Sequence, residues 1–205
     1  MEKIYLFNAF TRLLRGFNSP SSAANERRRL QRGETLKSLT FREAMPEDIP
    51  ALAGLHVAAW NATYPGVRHK PTLELREFQW EEAFSNADDN WFCYVIENKW
   101  GELVGFAQGN LYAGQIAGFD GQLNKMYLLR TYQRMGLGRK LMGYVARRFL
   151  SRGIFSMLLF AEPDNPSREF YEVLGAERIL SEKGEFKGAY GWRDLQMLAE
   201  ECPIG

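Results

Sequence analysis

From residue 39 onward, apolar positions switch between two spacings, and the switches divide the chain into strands and helices. Residues 39–44, Leu-Thr-Phe-Arg-Glu-Ala, predict a short strand. Pro46-Glu47-Asp48 then opens a helix, with acids in the first turn where the helix dipole favours them. Ile49, Leu52, Leu55, Val57 and Trp60 form its core-facing stripe, and Asn61-Ala62-Thr63-Tyr64-Pro65-Gly66 breaks it. A second helix is expected over 72–86. Residues 91–97 and 103–111 read as two strands of a hairpin turning at Asn98-Lys99-Trp100-Gly101. A Gly-rich connection, 113–121, leads to a further strand over 123–129.

The second half repeats the alternation. After Gly136, Leu137, Leu141, Val145 and Phe149 recur every four residues, with Arg139, Lys140, Arg147 and Arg148 largely off that face. Residues 154–161 are a nearly continuous apolar run of strand length, the pattern of a buried strand. Asn165-Pro166 supplies an N-cap and a first-position proline for another helix, which Gly175 closes. Two short strands, near 176–180 and 189–195, end the order. The expected class is α/β (α+β): a mixed sheet carrying helices.

Charge separates the two parts of the chain. The formal net charge is +1, yet residues 1–38 carry eight Lys/Arg against three Glu, leaving −4 on the rest. A basic extension, 1–38, therefore precedes one folded domain, 39–200. Within the extension Leu6, Phe10, Leu13, Leu14 and Phe17 fall at roughly helical spacing, and Ser19 to Asn25 reads as a linker. The mildly acidic body argues against nucleic acid as the partner. No apolar run approaches the roughly 20 residues of a membrane span. Cys93 and Cys202 lack metal or disulfide spacing, so a reducing cytoplasm is expected and no metal site. His56 and His69 stand too far apart to change that reading.

The sharpest chemical signal is Gln133-Arg134-Met135-Gly136-Leu137-Gly138, set between a strand and a long amphipathic helix. Glycines let backbone approach a ligand, and the first-turn N–H groups of a helix lack internal partners. Together they suit a pyrophosphate. The loop continues Arg139-Lys140-Leu141, which satisfies neither a Walker loop nor a dinucleotide fingerprint.

This stretch resembles the acyl-CoA motif (Q/R)xxGx(G/A) of the GNAT superfamily of N-acetyltransferases, and residues 122–133 look like the strand and turn before it. Thirty residues on, Asn165-Pro166-Ser167-Arg168-Glu169-Phe170-Tyr171-Glu172-Val173-Leu174-Gly175-Ala176 is similar to a second family motif, NxxAxxFYxxLGF, with Arg168 and Ala176 as departures. Phe41-Arg42-Glu43-Ala44 with Asp48 resembles the family's first strand and helix. The likeness spans about 39–195.

The resemblance implies a mainly antiparallel sheet with a splayed central strand pair and helices on both faces. It implies acetyl-CoA as co-substrate. Met126, Tyr127 and Leu128 would pair with pantetheine, and residues 133–139, Gln133 to Arg139, would wrap the pyrophosphate. Asn165 would serve the cofactor, its neighbouring strand, or only the helix cap. Tyr171 stands where the family places a general acid, and a phenol of pKa around 10 can protonate a departing thiolate. Many members carry a glutamate eleven residues before the motif's glutamine; here that position is Gln122, which cannot take a proton. Asp120 is the nearby alternative. Trp60, Tyr64, Trp80, Phe84 and Trp91 cluster where the family has its acceptor site, and can line it or fill the core. The expected reaction is direct attack by the amine of a small molecule or protein within a ternary complex. A non-catalytic acyl-CoA-binding module is the alternative. Homodimers are common in the family.

Overall fold

The computed structural model describes residues 35–162 and 165–204; the extension's expected helix and linker lie outside them. Seven strands form one sheet in the order β1-β2-β3-β4-β5-β7-β6. They are β1 (Thr40–Glu43), β2 (Phe92–Glu97), β3 (Leu103–Leu111), β4 (Gly121–Leu128), β5 (Met157–Phe160), β6 (Glu177–Leu180) and β7 (Phe186–Trp192). Every neighbouring pair is antiparallel except β4 and β5. Helices α1 (Ile49–Thr63) and α2 (Leu73–Ser85) lie on one face, over a core of Leu52, Leu55, Trp80, Val95 and Phe106. On the other face α3 (Leu137–Ser151) and α5 (Leu195–Glu201) pack with Phe92, Val104, Leu123, Met157 and Trp192. The mixed, mainly antiparallel sheet with helices on both faces is thus as expected.

Several local readings shift. α1 begins only after a 3-10 turn, Pro46–Asp48. Asp48 there accepts a two-armed pair from Arg42, which also reaches Glu97 and so ties β1, β2 and the turn together. The buried stripe of α1 is Leu52, Ala53, Leu55, His56 and Ala59, whereas Val57 is half-buried. The apolar run 154–161 shrinks to β5, because Phe155 is exposed and Ile154 ends the preceding turn. The cap of α4 (Arg168–Val173) is Ser167; Asn165 instead accepts the Ser167 N–H through its side chain at 2.8 Å.

The last expected strand, 189–195, is mistaken at its end. β7 stops at Trp192, and Asp194 caps α5 by accepting the Gln196 and Met197 N–H groups. Arg147 of α3 then closes the far end of α5, donating to the carbonyls of Ala199 and Cys202.

Candidate active site

Two irregularities in β4 make the site. The parallel pairing of β4 with β5 covers only Gly121 with Met157 and Gln122 with Leu158. Beyond that point the strands part, and backbone groups on the β5 side of β4 have no strand across from them. Unpaired amides along an extended strand can bond another extended amide chain. The second irregularity is a bulge. Gln108 faces Lys125 while Gly109 faces Leu123, so Asn124 is an extra residue. It donates its amide to Asn110. The bulge flips the alternation: Leu123 and Met126 pack with the α3 face, whereas Lys125 and Tyr127 turn toward α1 and α2.

A cleft of about 420 Å³ occupies the split. Residues 123–127 of β4 form one wall, and Leu159, Phe160 and Glu162 the other. Trp60 and Tyr64, at the C-terminal end of α1, close one side, and Asn165 and Tyr171 another. The Tyr64 hydroxyl is hydrogen-bonded to Asn165. Tyr171 is buried, its ring edge-on to Phe170 and Trp192. Burial first, then Tyr127 and Tyr64, raises its phenol well above the ordinary value. Burial also pushes the Tyr127 phenol up to about 12. Both hydroxyls therefore hold their protons at neutral pH.

At the end of β4, Gln133 donates its amide to the Leu128 carbonyl at 3.0 Å and fixes the turn into α3. Arg134, at φ 63, is the one non-glycine with positive φ among the described residues, and Gly136 follows at φ 81. The N-terminus of α3 has no side-chain cap and no acid in its first turn. Its free N–H groups fit an anion, and the unpaired stretch of β4 fits a pantetheine arm. Arg139 turns away to bond Cys202, so position 139 offers the loop its backbone.

A sequence profile described as the acetyltransferase (GNAT) family matches residues 54–176. The chain belongs to the GNAT acetyltransferase family. It is an acetyl-CoA-dependent N-acetyltransferase. It is 32% identical over 171 residues to an uncharacterized N-acetyltransferase, YuaI, of Bacillus subtilis, covering 78% of this chain and 96% of that one. In fold it is similar to the PaiA N-acetyltransferase of Thermoplasma acidophilum, solved with coenzyme A: TM-score 0.59, 19% identity, covering 75% of this chain and 98% of that one. It is also similar to the ribosomal-protein-S18-alanine N-acetyltransferase of Escherichia coli, with TM-score 0.52 and 19% identity, covering 75% and 90%.

In this GNAT protein the split strands bring Met126, Tyr127, Asn165 and Tyr171 to one cleft. Leu128 lies one residue past it, beside the motif loop. Asp120 and Gln122 are outside the cleft lining. Asp120 is exposed and receives the Ser156 hydroxyl at 3.4 Å, while its backbone is bonded to Tyr112. Gln122 sits in the ladder, opposite Asn110 and Leu158. The aromatic cluster divides: Trp60 and Tyr64 face the cleft, Trp80 is core, and Phe84 packs on Trp91. Sequence reasoning missed Lys125 and Glu162. Lys125 was hidden because strand alternation alone cannot reveal the bulge that turns it.

Proposed function

We propose that the amine attacks directly in a ternary complex, with Tyr171 as the general acid. Acetyl-CoA supplies the activated acetyl group. The backbone of β4 at Met126 to Leu128, paired with β3 on one side and without a strand on the other, holds the extended arm, and the N–H groups at Gly136 to Gly138 hold the pyrophosphate. Tyr171 Oη gives its proton to the sulfur as the thiolate departs. Burial keeps the phenol protonated at rest and disfavours the phenolate left by donation, so the transfer needs the thiolate charge to form close beside the hydroxyl. With glutamine at position 122 and Asp120 off the cleft, the amine's proton leaves through the cleft mouth, whose wall includes the Glu162 carboxylate, and solvent returns a proton to the Tyr171 phenolate. Both cysteines are buried free thiols, which supports a cytoplasmic location.

The carrying observation is the placement of Tyr171 in the split between β4 and β5. Tyr171→Phe keeps the ring and its contacts. It is expected to lower kcat by about 10²- to 10⁴-fold while acetyl-CoA binding stays unchanged. Thiol release from acetyl-CoA measures the first, and isothermal titration the second. Unaltered turnover, with chemistry rate-limiting, would return Tyr171 to packing alone.

A further inference from the structure

The side of the cleft facing α1 and α2 has more positive charge than its surroundings answer. Lys125 forms part of the cleft wall, its Nζ 5.0 Å from the centre of the Trp80 ring. Its Nζ is 3.5 Å from Gln108 Oε1, at the limit of a hydrogen bond, and the carboxylate of the cleft, Glu162, stands on the opposite wall and forms no ion pair with it among the described residues. Arg76 of α2 stands behind that wall, outside the cleft lining but near enough for its charge to act on Lys125. It donates to Gln79 at 2.6 Å, while its Nε is buried without a partner. Among the described residues neither cation forms an ion pair. Surface cations need no such pairing, but half-buried ones lose hydration that a ring face and an amide replace only in part.

Nearby groups register the same imbalance. Burial, together with Arg76, lowers the proton affinity of Lys125. His56, buried between Trp80, Phe106 and Tyr127, is pushed down to about 3 by burial and then by Arg76 and Lys125. Its Nδ1 also has no partner, nor has Trp80 Nε1 or Asn61 Oδ1. Four of the five buried side-chain atoms of this kind, among the described residues, thus stand on α1 and α2.

We propose that the amine acceptor of this enzyme is a small molecule bearing a compact anionic group, a carboxylate or phosphonate, which Lys125 and Arg76 bind. The inference rests on the transferase reading and names its substrate class. The phosphates of acetyl-CoA are the competing source of anion. They belong at the N-terminus of α3, on the opposite face of the sheet from Lys125, so the two anion sites are separate. The proposal places polyamines and basic peptides among poor acceptors, since like charge beside Lys125 and Arg76 is disfavoured.

The test pairs amines that differ in the anion alone. L-amino acids are compared with their amides, and aminoalkyl phosphonates with the matching amino alcohols, alongside spermidine. Each is measured for thiol release from acetyl-CoA and for binding to the CoA-loaded protein by titration calorimetry. An amide's amine holds its proton less tightly than the parent acid's, so amine reactivity alone favours the amide. A preference for the acid by roughly 10- to 100-fold in KM or Kd, the scale of a hydrogen bond to a charged group, is therefore expected. Lys125→Met and Arg76→Gln should each erase most of that preference, and Lys125→Arg should restore part of it. An unchanged acetyl-CoA thermal shift shows that each variant folds.

Equal use of acids and amides, or a preference for spermidine, would overturn the proposal, as would acids indifferent to both substitutions. So would a panel in which no anionic amine binds or reacts. Binding of acids without turnover would uphold the anion site and count against the transferase reading. Turnover confined to neutral or cationic amines would do the reverse. A response limited to phosphonates, or to carboxylates, identifies which anion the pair recognises.

Discussion

At the residue scale, the α1/α2 side of the cleft shows what burial does to ionisable groups. His56 is 3% exposed and surrounded by rings, so the folded protein holds it neutral down to about pH 3. An unfolded chain protonates the same residue near 6.5. Between those values the unfolded state binds the extra proton, and stability falls as pH falls. His56 thus contributes its full share above about pH 6.5 and loses about 1.4 kcal/mol per unit on the way down. Urea melts from pH 7 to pH 5 should show that slope, and His56→Phe should flatten it by a similar amount. An unaltered slope in the variant would assign the acid sensitivity to other groups. The buried Cys93 thiol is raised by burial in the same way and is thereby chemically quiet.

At the element scale, α3 serves two surfaces. Its N-terminus follows the loop Gln133 to Gly136, and its middle receives α5. Gly143 explains how the second contact is possible. A β-carbon there would meet the Cys202 carbonyl, which Arg147 holds against the helix. In an open helix, replacing glycine by alanine would stabilise by about 1 kcal/mol. Here overpacking of about 1–3 kcal/mol opposes it. Gly143→Ala should therefore lower the denaturation midpoint, and a rise would show that α5 yields easily. At the other end, Gly136 adopts φ 81, a conformation that β-branched residues rarely take. Acetyl-CoA at 100 times its Kd should stabilise the wild type by about 2.7 kcal/mol. That corresponds to roughly 5–10 °C in Tm for a chain of this size. Gly136→Val should remove the shift while circular dichroism stays native; a variant that still responds would reduce this loop to a turn.

At the scale of the whole molecule, the fold is a sheet interrupted at its centre, and the cleft lies in the interruption. The two faces differ: on one, α3 presents an uncapped N-terminus, and on the other Trp60, Tyr64 and Arg76 of the α1/α2 layer stand on the side to which Lys125 of β4 turns. The strands, the long amphipathic α3 and the two GNAT motifs were legible in the sequence, since each depends on local spacing: period two, period four, or glycines before a helix. Tyr171 and the Gly136 loop stand in those motifs, and the structure sets Tyr171 in the cleft lining. The end of β7 was misread because Trp192 and Leu195 are both buried and continue an apolar pattern; only Asp194 marked the change to a helix. Asn165 looked like a cap, and the chain placed its cap two residues later. The arrangement of Lys125, Arg76, Trp80 and His56 could not be read at all. These residues come from three elements and meet because Asn124 bulges from β4, which reverses the facing of every later residue in that strand. Local patterns along the chain thus determined most of the elements and the glycine loop before α3, because each is written within a few consecutive residues. Tertiary packing alone decided the grouping of Lys125, Arg76 and His56, because they are far apart in sequence and one extra residue in a strand turns Lys125 toward the other two.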